Sequence, residues 1–596
     1  MSDKAVYLAA FNYASGLLTP RVTSSWLIKN KFGVLVWLPL QLLTMFIITV
    51  PCLFMELALG QYSNKAVIRV WDLCPILRGV GISSFITFIV YQMYYNFYCT
   101  YALLFTVLSL RNRAEWKTCN NSWNTINCYT RRDWLTRRYE CSQKLSKEKC
   151  DQMEWHTSVD QFFYNRILNL SDSSGQFGIR FWFINHYLIT ILDPQYELLL
   201  YTLITMVLIF LISSSGSRVL EKILVILTII PTLQMIILFF TTLSHSTGLT
   251  SVVYALTMQT LSRLKRIDVW MVMVDIASSG SGLGFGAYIT LGTQGSFRTP
   301  LHFKSVLISF LVVLSILGYT AVVENFIVSL CIQSKMLFTD FLDLQRYLPM
   351  PEAVFFMTRA KRFWITMWLS NKYILGLRSL IVMMLLNVEI FCNSLPKAKK
   401  HYTLCVFMFC TIIYSGGIFV SMRSAYLVVE AIDETICTIV LPFLTACEMI
   451  AVIYCYGVTN FEDDVHFMLG IRLPLYWKIL YCLNPILLTA KCVYNIKIFY
   501  DRSNKHKHQW VYIYQQFVLW FSIVFIASYA LFYVIKVVAR KNFNICKPSQ
   551  NWGPAQSELH KSRQMFTAHS MTKEYVYRQE RFGLNQDQQG DEDDAE

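Results

Sequence analysis

Residues 278–286 read "SSGSGLGFG", nine positions of which four are glycine, inside a run that is apolar on both sides. Glycine costs roughly 1 kcal/mol per residue in a helix interior. Backbone groups freed by a break in a membrane helix are tolerated only where protein or a polar cavity satisfies them. A second interruption, "ASGLLTPR" (14–21), falls in the first apolar run. Working outward from these breaks, twelve runs are long enough to cross roughly 30 Å of hydrocarbon as helices. They are 6–28, 34–59, 82–109, 196–215, 220–243, 268–296, 305–333, 364–394, 402–422, 424–457, 475–498 and 512–538. The breaks sit in the first and sixth, the corresponding members of two five-helix halves. That pairing predicts an all-α polytopic membrane protein with an inverted five-helix repeat and a substrate site at the midplane between half-helix ends. The other reading of the same glycines is close packing of neighbouring helices.

Composition agrees with the membrane assignment, because only 15% of residues are charged and 55% are hydrophobic, whereas a soluble chain carries about a quarter charged residues. The net charge of +15 is read through loop placement and not as a nucleic-acid footprint. Lys65, Arg69 and Arg78, then Arg218 and Lys222, then Lys397, Lys399 and Lys400 all fall on one side of a twelve-span arrangement. The positive-inside rule makes that side the cytoplasm, together with both termini. No cleavable signal is expected, since the first apolar run leads into Gly16, Thr19, Pro20 and Arg21 instead of a small-residue cleavage site. The sequence holds no nucleotide-binding loop, zincin helix or nucleophile elbow, which argues against an ATP-driven pump or an intramembrane hydrolase and against an enzyme.

The twelve runs define a transporter domain over 1–539. Its longest connection, 110–195, lies on the outer side and contains "CNNSWNTINC" (119–128) and "ECSQKLSKEKC" (140–150). Cys119 and Cys128, and likewise Cys141 and Cys150, are close in sequence and face an oxidising space, so one or two local disulfides are expected. Asn120 and Asn169 head glycosylation sequons in the same loop. Residues 540–596 turn polar and end in "DQQGDEDDAE", the composition of a disordered cytoplasmic tail.

Five stretches carry a family likeness: "VPCLFMELALGQYSNKAVIRVWDLCPILRGVG" (50–81), "YYNFYCTYAL" (94–103), "CNNSWNTINC" (119–128), "GLGFGAYITLGTQGSF" (282–297) and "YGVTNFEDDVHFMLG" (456–470). In order along nearly the whole chain up to the last run, they resemble the neurotransmitter:sodium symporters, solute carrier family 6. The resemblance implies twelve helices, ten of them in two inverted repeats. It also implies movement of amino acids, amines or osmolytes with Na+ and usually Cl−.

Carried over position by position, the resemblance makes Glu56 a buried carboxylate that bonds backbone groups at the helix breaks. It makes Tyr95 the hydroxyl that donates to a substrate carboxylate. Gly16 matches the position where glycine marks the amino-acid branch and aspartate the amines. The substrate would lie against Gly16, Tyr95, Ser279 and Gly282, with Ser279 standing where relatives have a gating phenylalanine. The ion positions depart from the pattern. Thr19 replaces the sodium-binding asparagine, Leu18 replaces a glycine, and Gly280 replaces an ion-binding Ser or Thr. Ile276 and Leu40 replace the glutamine and tyrosine that contact chloride, and His302 and Val306 stand at the seventh-span Asn and Ser, with Ser305 one position off.

Where relatives read "GLDS" in the eighth span, this chain reads "GLRS" at 376–379. Arg378 therefore puts a fixed cation in place of an anionic sodium ligand, while Ser379 is retained. Two like charges at about 4 Å repel by about 4 kcal/mol at an effective dielectric of 20, so Na+ is expected not to bind there. Asp433 keeps the acid of the outer gate; its basic partner is absent, and Arg21, two positions earlier, is the candidate substitute. The resulting expectation is a plasma-membrane secondary transporter for an amino acid or similar small zwitterion, working by alternating access, in which most ligands for Na+ and Cl− are missing. Two rival expectations are a Na+-independent exchanger and a non-transporting relative acting as receptor, chaperone or scaffold.

Overall fold

The structure, a computed structural model, describes residues 2–18, 34–111, 195–244, 264–334, 360–421, 425–503, 509–539 and 547–565, with 115–168 and 249–253 in part. Helix α1 is Asp3–Leu18, α2 spans 34–63, α3 is Arg78–Leu110, α4 Tyr196–Ser214 and α5 Ser217–Leu243. The sixth span is split into α6a, Ile267–Ala277, and α6b, Ala287–Gly292. Then follow α7 (His302–Ser334), α8 (Lys361–Ser394), α9 (Tyr402–Val420), α10 (425–457), α11 (Leu475–Ser503) and α12 (Gln509–Ala539). Among the described residues, ten helices are long and apolar enough to cross a membrane. The short α1 and the divided α6 complete the set.

Two helices are bent for a chemical reason. In α2 the widened turn Met45–Thr49 precedes Pro51, and in α10 the widened turn Ile436–Val440 precedes Pro442. A proline ring clashes with the carbonyl four residues back and offers no N–H, and a π-turn relieves both faults. All fourteen residues of the second half of α2, Val50–Ser63, are buried, so this helix is the axis of the bundle. Leu233 and Phe240 on α5 and Phe517 and Leu531 on α12 are exposed, as lipid-facing side chains must be when the hydrophobic surroundings are acyl chains.

Beside the C-terminal end of α3, Trp116, Phe162 and Phe163 pack around Phe105 of that helix. Cys119 and Cys128 are disulfide-bonded, and the strand Cys128–Tyr129 pairs in parallel with His156–Thr157. Cys141 is disulfide-bonded as well; Cys150 and Asn169 lie outside the described residues, and Asn120 is exposed.

The expected disorder of 540–596 is corrected for 547–565. This segment straps across the end of the bundle that carries the termini. Ser549 N–H donates to Asp72 O (2.8 Å) and Lys65 Nζ to Asn551 O. Trp552 packs between Tyr62 and Tyr456, with ring centroids at 5.7 and 5.9 Å, and its Nε1 donates to the Tyr456 hydroxyl (3.2 Å). The helix Ser557–Met565 then brings Arg563 Nε to Asp464 Oδ1 (2.8 Å), in the short helix Val458–Leu469. One tryptophan and one arginine give this polar stretch the burial and charge pairing that its average composition conceals. Residues 566–596 lie outside the described residues.

Candidate substrate and ion site

The break in α6 is held by side chains from two other helices, α1 and α2, and its own second half. Gly282, Gly284 and Gly286 have φ of 79°, 83° and 69°, a left-handed backbone that a Cβ disfavours, so the glycine spacing sets the turn. Five of its backbone groups have identified partners. Ala277 O accepts from Thr49 Oγ1 (2.6 Å), Ser281 O from the Tyr288 hydroxyl (2.6 Å) and Gly282 O from the Tyr13 hydroxyl (3.1 Å). Gly284 N–H donates to Glu56 Oε1 (3.2 Å), and Gly280 N–H to Asp275 O (3.0 Å). A buried backbone group needs such a partner, so Tyr13, Thr49 and Glu56 allow the helix to be broken there. Ser279 is buried at the turn, beside Gly280.

The contact between α1 and α8 is direct. A Cβ placed on Gly16 would collide with Ser379 Oγ, and the Ser379 hydroxyl donates to Asn12 O (2.8 Å). Arg378, 2% exposed, donates from Nη2 to Ser15 Oγ (2.7 Å) and lies over the Phe11 ring at 5.6 Å. The Tyr95 hydroxyl donates to Gly16 O (2.9 Å). Tyr95, Gly16, Arg378 and Ser379 thus converge on one stretch of α1, residues 11–16, while Gly282 is joined to the same helix through Tyr13. Thr19 and Arg21 lie outside the described residues. Asp433 is buried on α10.

These residues do not fit a hard cation between α1 and α8. A sodium ion needs several oxygens unopposed by a fixed cation, whereas the residue beside Ser379 is a guanidinium that already holds Ser15 Oγ. His302 is exposed in the first turn of α7 and the Ser305 hydroxyl donates to His302 O (2.9 Å). At the chloride positions Leu40 and Ile276 are buried apolar side chains, which offer an anion no donor.

Several residues of the site were not picked out from sequence. Tyr91 stacks on Tyr95 (5.7 Å) and packs on Phe285 (4.9 Å), which in turn meets Phe88 (5.2 Å). Tyr91 and Phe88 precede Tyr95 by four and seven residues, the spacing of one helix face, which is the signal that would have found them. Ser15, the acceptor for Arg378, follows from the same arithmetic only once the helices are docked. Asp275 of α6a pairs with Lys491 of α11; each is a charge set inside an apolar run, the same kind of signal that singles out Arg378.

A sixth helix broken at glycines, sealed by a carboxylate from the second and facing a tyrosine of the third, is a distinctive combination, and residues 27–544 match the sodium:neurotransmitter symporter family. The chain belongs to that family. It is therefore a member of a transporter family and not an enzyme. Among its symporter relatives, the sodium- and chloride-dependent betaine transporter of Caenorhabditis elegans is 23% identical over 83% of this chain and 82% of its own length. A sodium-dependent nutrient amino acid transporter 1 of Drosophila grimshawi is 21% identical over 90% of this chain and 83% of its own. A sodium-dependent dopamine transporter of C. elegans is 24% identical over 78% and 75%. Symporter membership accounts for the fold; the arginine at 378 is a property of this chain's own sequence.

Proposed function

We propose that the chain is a multi-pass plasma-membrane carrier, with both termini in the cytoplasm, that moves an amino acid or similar small zwitterion by alternating access. In this reading Arg378 is a resident cation that joins α1 to α8 where the family resemblance places the second sodium. The observation that carries it is the bond from Arg378 Nη2 to Ser15 Oγ (2.7 Å) beside that from Ser379 Oγ to Asn12 O (2.8 Å). Together they do by side chain what a bridging ion does by coordination. The glycine at 16, and relatives that include a nutrient amino acid transporter, support an amino acid as cargo.

The test is uptake and exchange of labelled amino acids by the purified chain in proteoliposomes, with Na+ replaced by choline. Flux indifferent to the replacement is the expected result; flux that depends steeply on Na+ overturns the reading. One observation favours the rival of a non-transporting relative: the Tyr95 hydroxyl, the expected carboxylate donor, is engaged by Gly16 O. Folded protein with neither uptake nor exchange under any ion condition would decide for that rival.

A further inference from the structure

Among the described residues no carboxylate is paired with Arg378. Helix α8 packs against α1, α3, α4, α5, α6b and α9. The acidic residues on these helices and on α8 itself are Asp3, Glu197, Glu221 and Glu389, and α3, α6b and α9 have none. All four lie within about two turns of a helix end, whereas Arg378 is more than four turns from either end of α8. Three of them are engaged where they stand: Asp3 accepts from Ser296 and Thr299, Glu221 from Ser2, and Glu197 pairs with Arg166. Segment 19–33, which follows α1, contains Arg21, Lys29 and Lys31 and no acid.

The acids at the α6 break are also committed: Glu56 serves Gly284 N–H and Asp275 serves Lys491. Among the described residues Arg378 Nε has no hydrogen-bond partner, although the side chain is 2% exposed. Lys372, on the same helix, lies over the Trp368 ring at 5.3 Å.

A buried guanidinium with an orphan N–H and no counter-charge among the described residues calls for an anion from outside the chain, and its planar fork suits a carboxylate. We propose that Arg378 is an anion-binding residue that takes a small monovalent anion, either the carboxylate of an organic ligand or chloride, where α1 meets α8. If the chain is a carrier, the cargo's carboxylate is neutralised by this fixed arginine and not by a co-transported cation. Binding itself does not depend on transport, so a chain that fails every flux assay leaves the anion site standing.

The experiment is thermal unfolding of the full-length purified protein in detergent, in Tris–HEPES without chloride or sodium. Chloride, acetate, pyruvate and the common amino acids are added, and each responding amino acid is compared with its amide. The expected result is a rise in midpoint of about 3 °C or more with at least one of these anions. A response to chloride alone identifies the inorganic source; a response to a carboxylate and not to its amide identifies the organic one. Arg378→Gln should lose the response, and Arg378→Lys should keep it with half-saturation raised at least about fivefold, because the fork is gone. No response to any of these anions in the unmodified protein overturns the proposal. So does an unchanged response in Arg378→Gln or, if that variant does not fold, an unchanged half-saturation in Arg378→Lys.

Discussion

Asp275 of α6a and Lys491 of α11 are ion-paired inside the bundle, and Lys491 is fully buried while the Asp275 side chain is 21% exposed. Lys491 Nζ also donates to Thr438 O (2.7 Å) in the widened turn of α10, which Asn495 Nδ2 reaches as well (2.8 Å). One ammonium thus ties the first half of the broken span to two helices of the surround. The two partners should not be equivalent to mutation. Asp275→Ala strands a fully buried cation and should cost about 3–5 kcal/mol. Lys491→Met leaves an acid that can reach solvent and should cost less, and the double variant Asp275→Asn/Lys491→Met should recover most of the loss. Thermal unfolding of the three purified variants measures the order; a larger cost for Lys491→Met would reverse the assignment.

Glu56→Ala removes the acceptor for Gly284 N–H at the glycine turn. The expected loss is about 1–3 kcal/mol, the range for leaving a buried donor without its acceptor, with Glu56→Gln falling closer to the unmodified protein because an amide oxygen still accepts. Surface yield and unfolding midpoint of both variants check this. Equal behaviour of Ala and Gln would mean that the turn does not depend on the acceptor.

The strap should detach as a unit. Trp552→Ala or Arg563→Ala should raise amide hydrogen exchange throughout 549–565 and also in the loop 64–74 that Ser549 and Asn551 contact. Exchange in α8 should stay unchanged. Removal of the tryptophan should have the larger effect, since the Arg563–Asp464 pair keeps 20% exposure on the arginine side and is weakened by solvent.

The outer loop should carry glycans at Asn120 and Asn169 beside the Cys119–Cys128 disulfide. Enzymatic deglycosylation should increase gel mobility, and Asn120→Gln and Asn169→Gln should each remove one step of that shift. Labelling of both loop cysteines by a thiol reagent without reductant would contradict the disulfide.

The parts of the fold legible in the sequence are those that the bilayer dictates. Helix length follows from hydrocarbon thickness, and a glycine cluster such as 278–286 has few places to go in lipid, so twelve spans and the break in α6 could be read without docking any helix on another. The motif around Glu56 added the carboxylate, and the spacing of "GLRS" pointed to Arg378. What could not be read were relationships between helices. Ser15 as the acceptor for Arg378, the commitment of the Tyr95 hydroxyl to Gly16, and the pairing of Asp275 with Lys491 each join residues more than 70 positions apart. Segment 547–565 was misread for a different reason: composition averages over a stretch, and its docking rests on Trp552 and Arg563. Thr19 and Arg21 belong to the segment that the structure does not describe.

The strap also sets an order of events during synthesis. Trp552 covers Tyr62 and Tyr456, and Arg563 meets Asp464, so three early-made surfaces wait for residues that leave the ribosome after every membrane span has been translated. A nascent chain stopped anywhere before residue 552 therefore displays an uncovered aromatic patch at the end of the bundle, however well its helices have assembled. A reporter fused directly after α12 in place of the tail would leave the patch uncovered even though all twelve spans are present, and its surface yield should fall below that of the full chain.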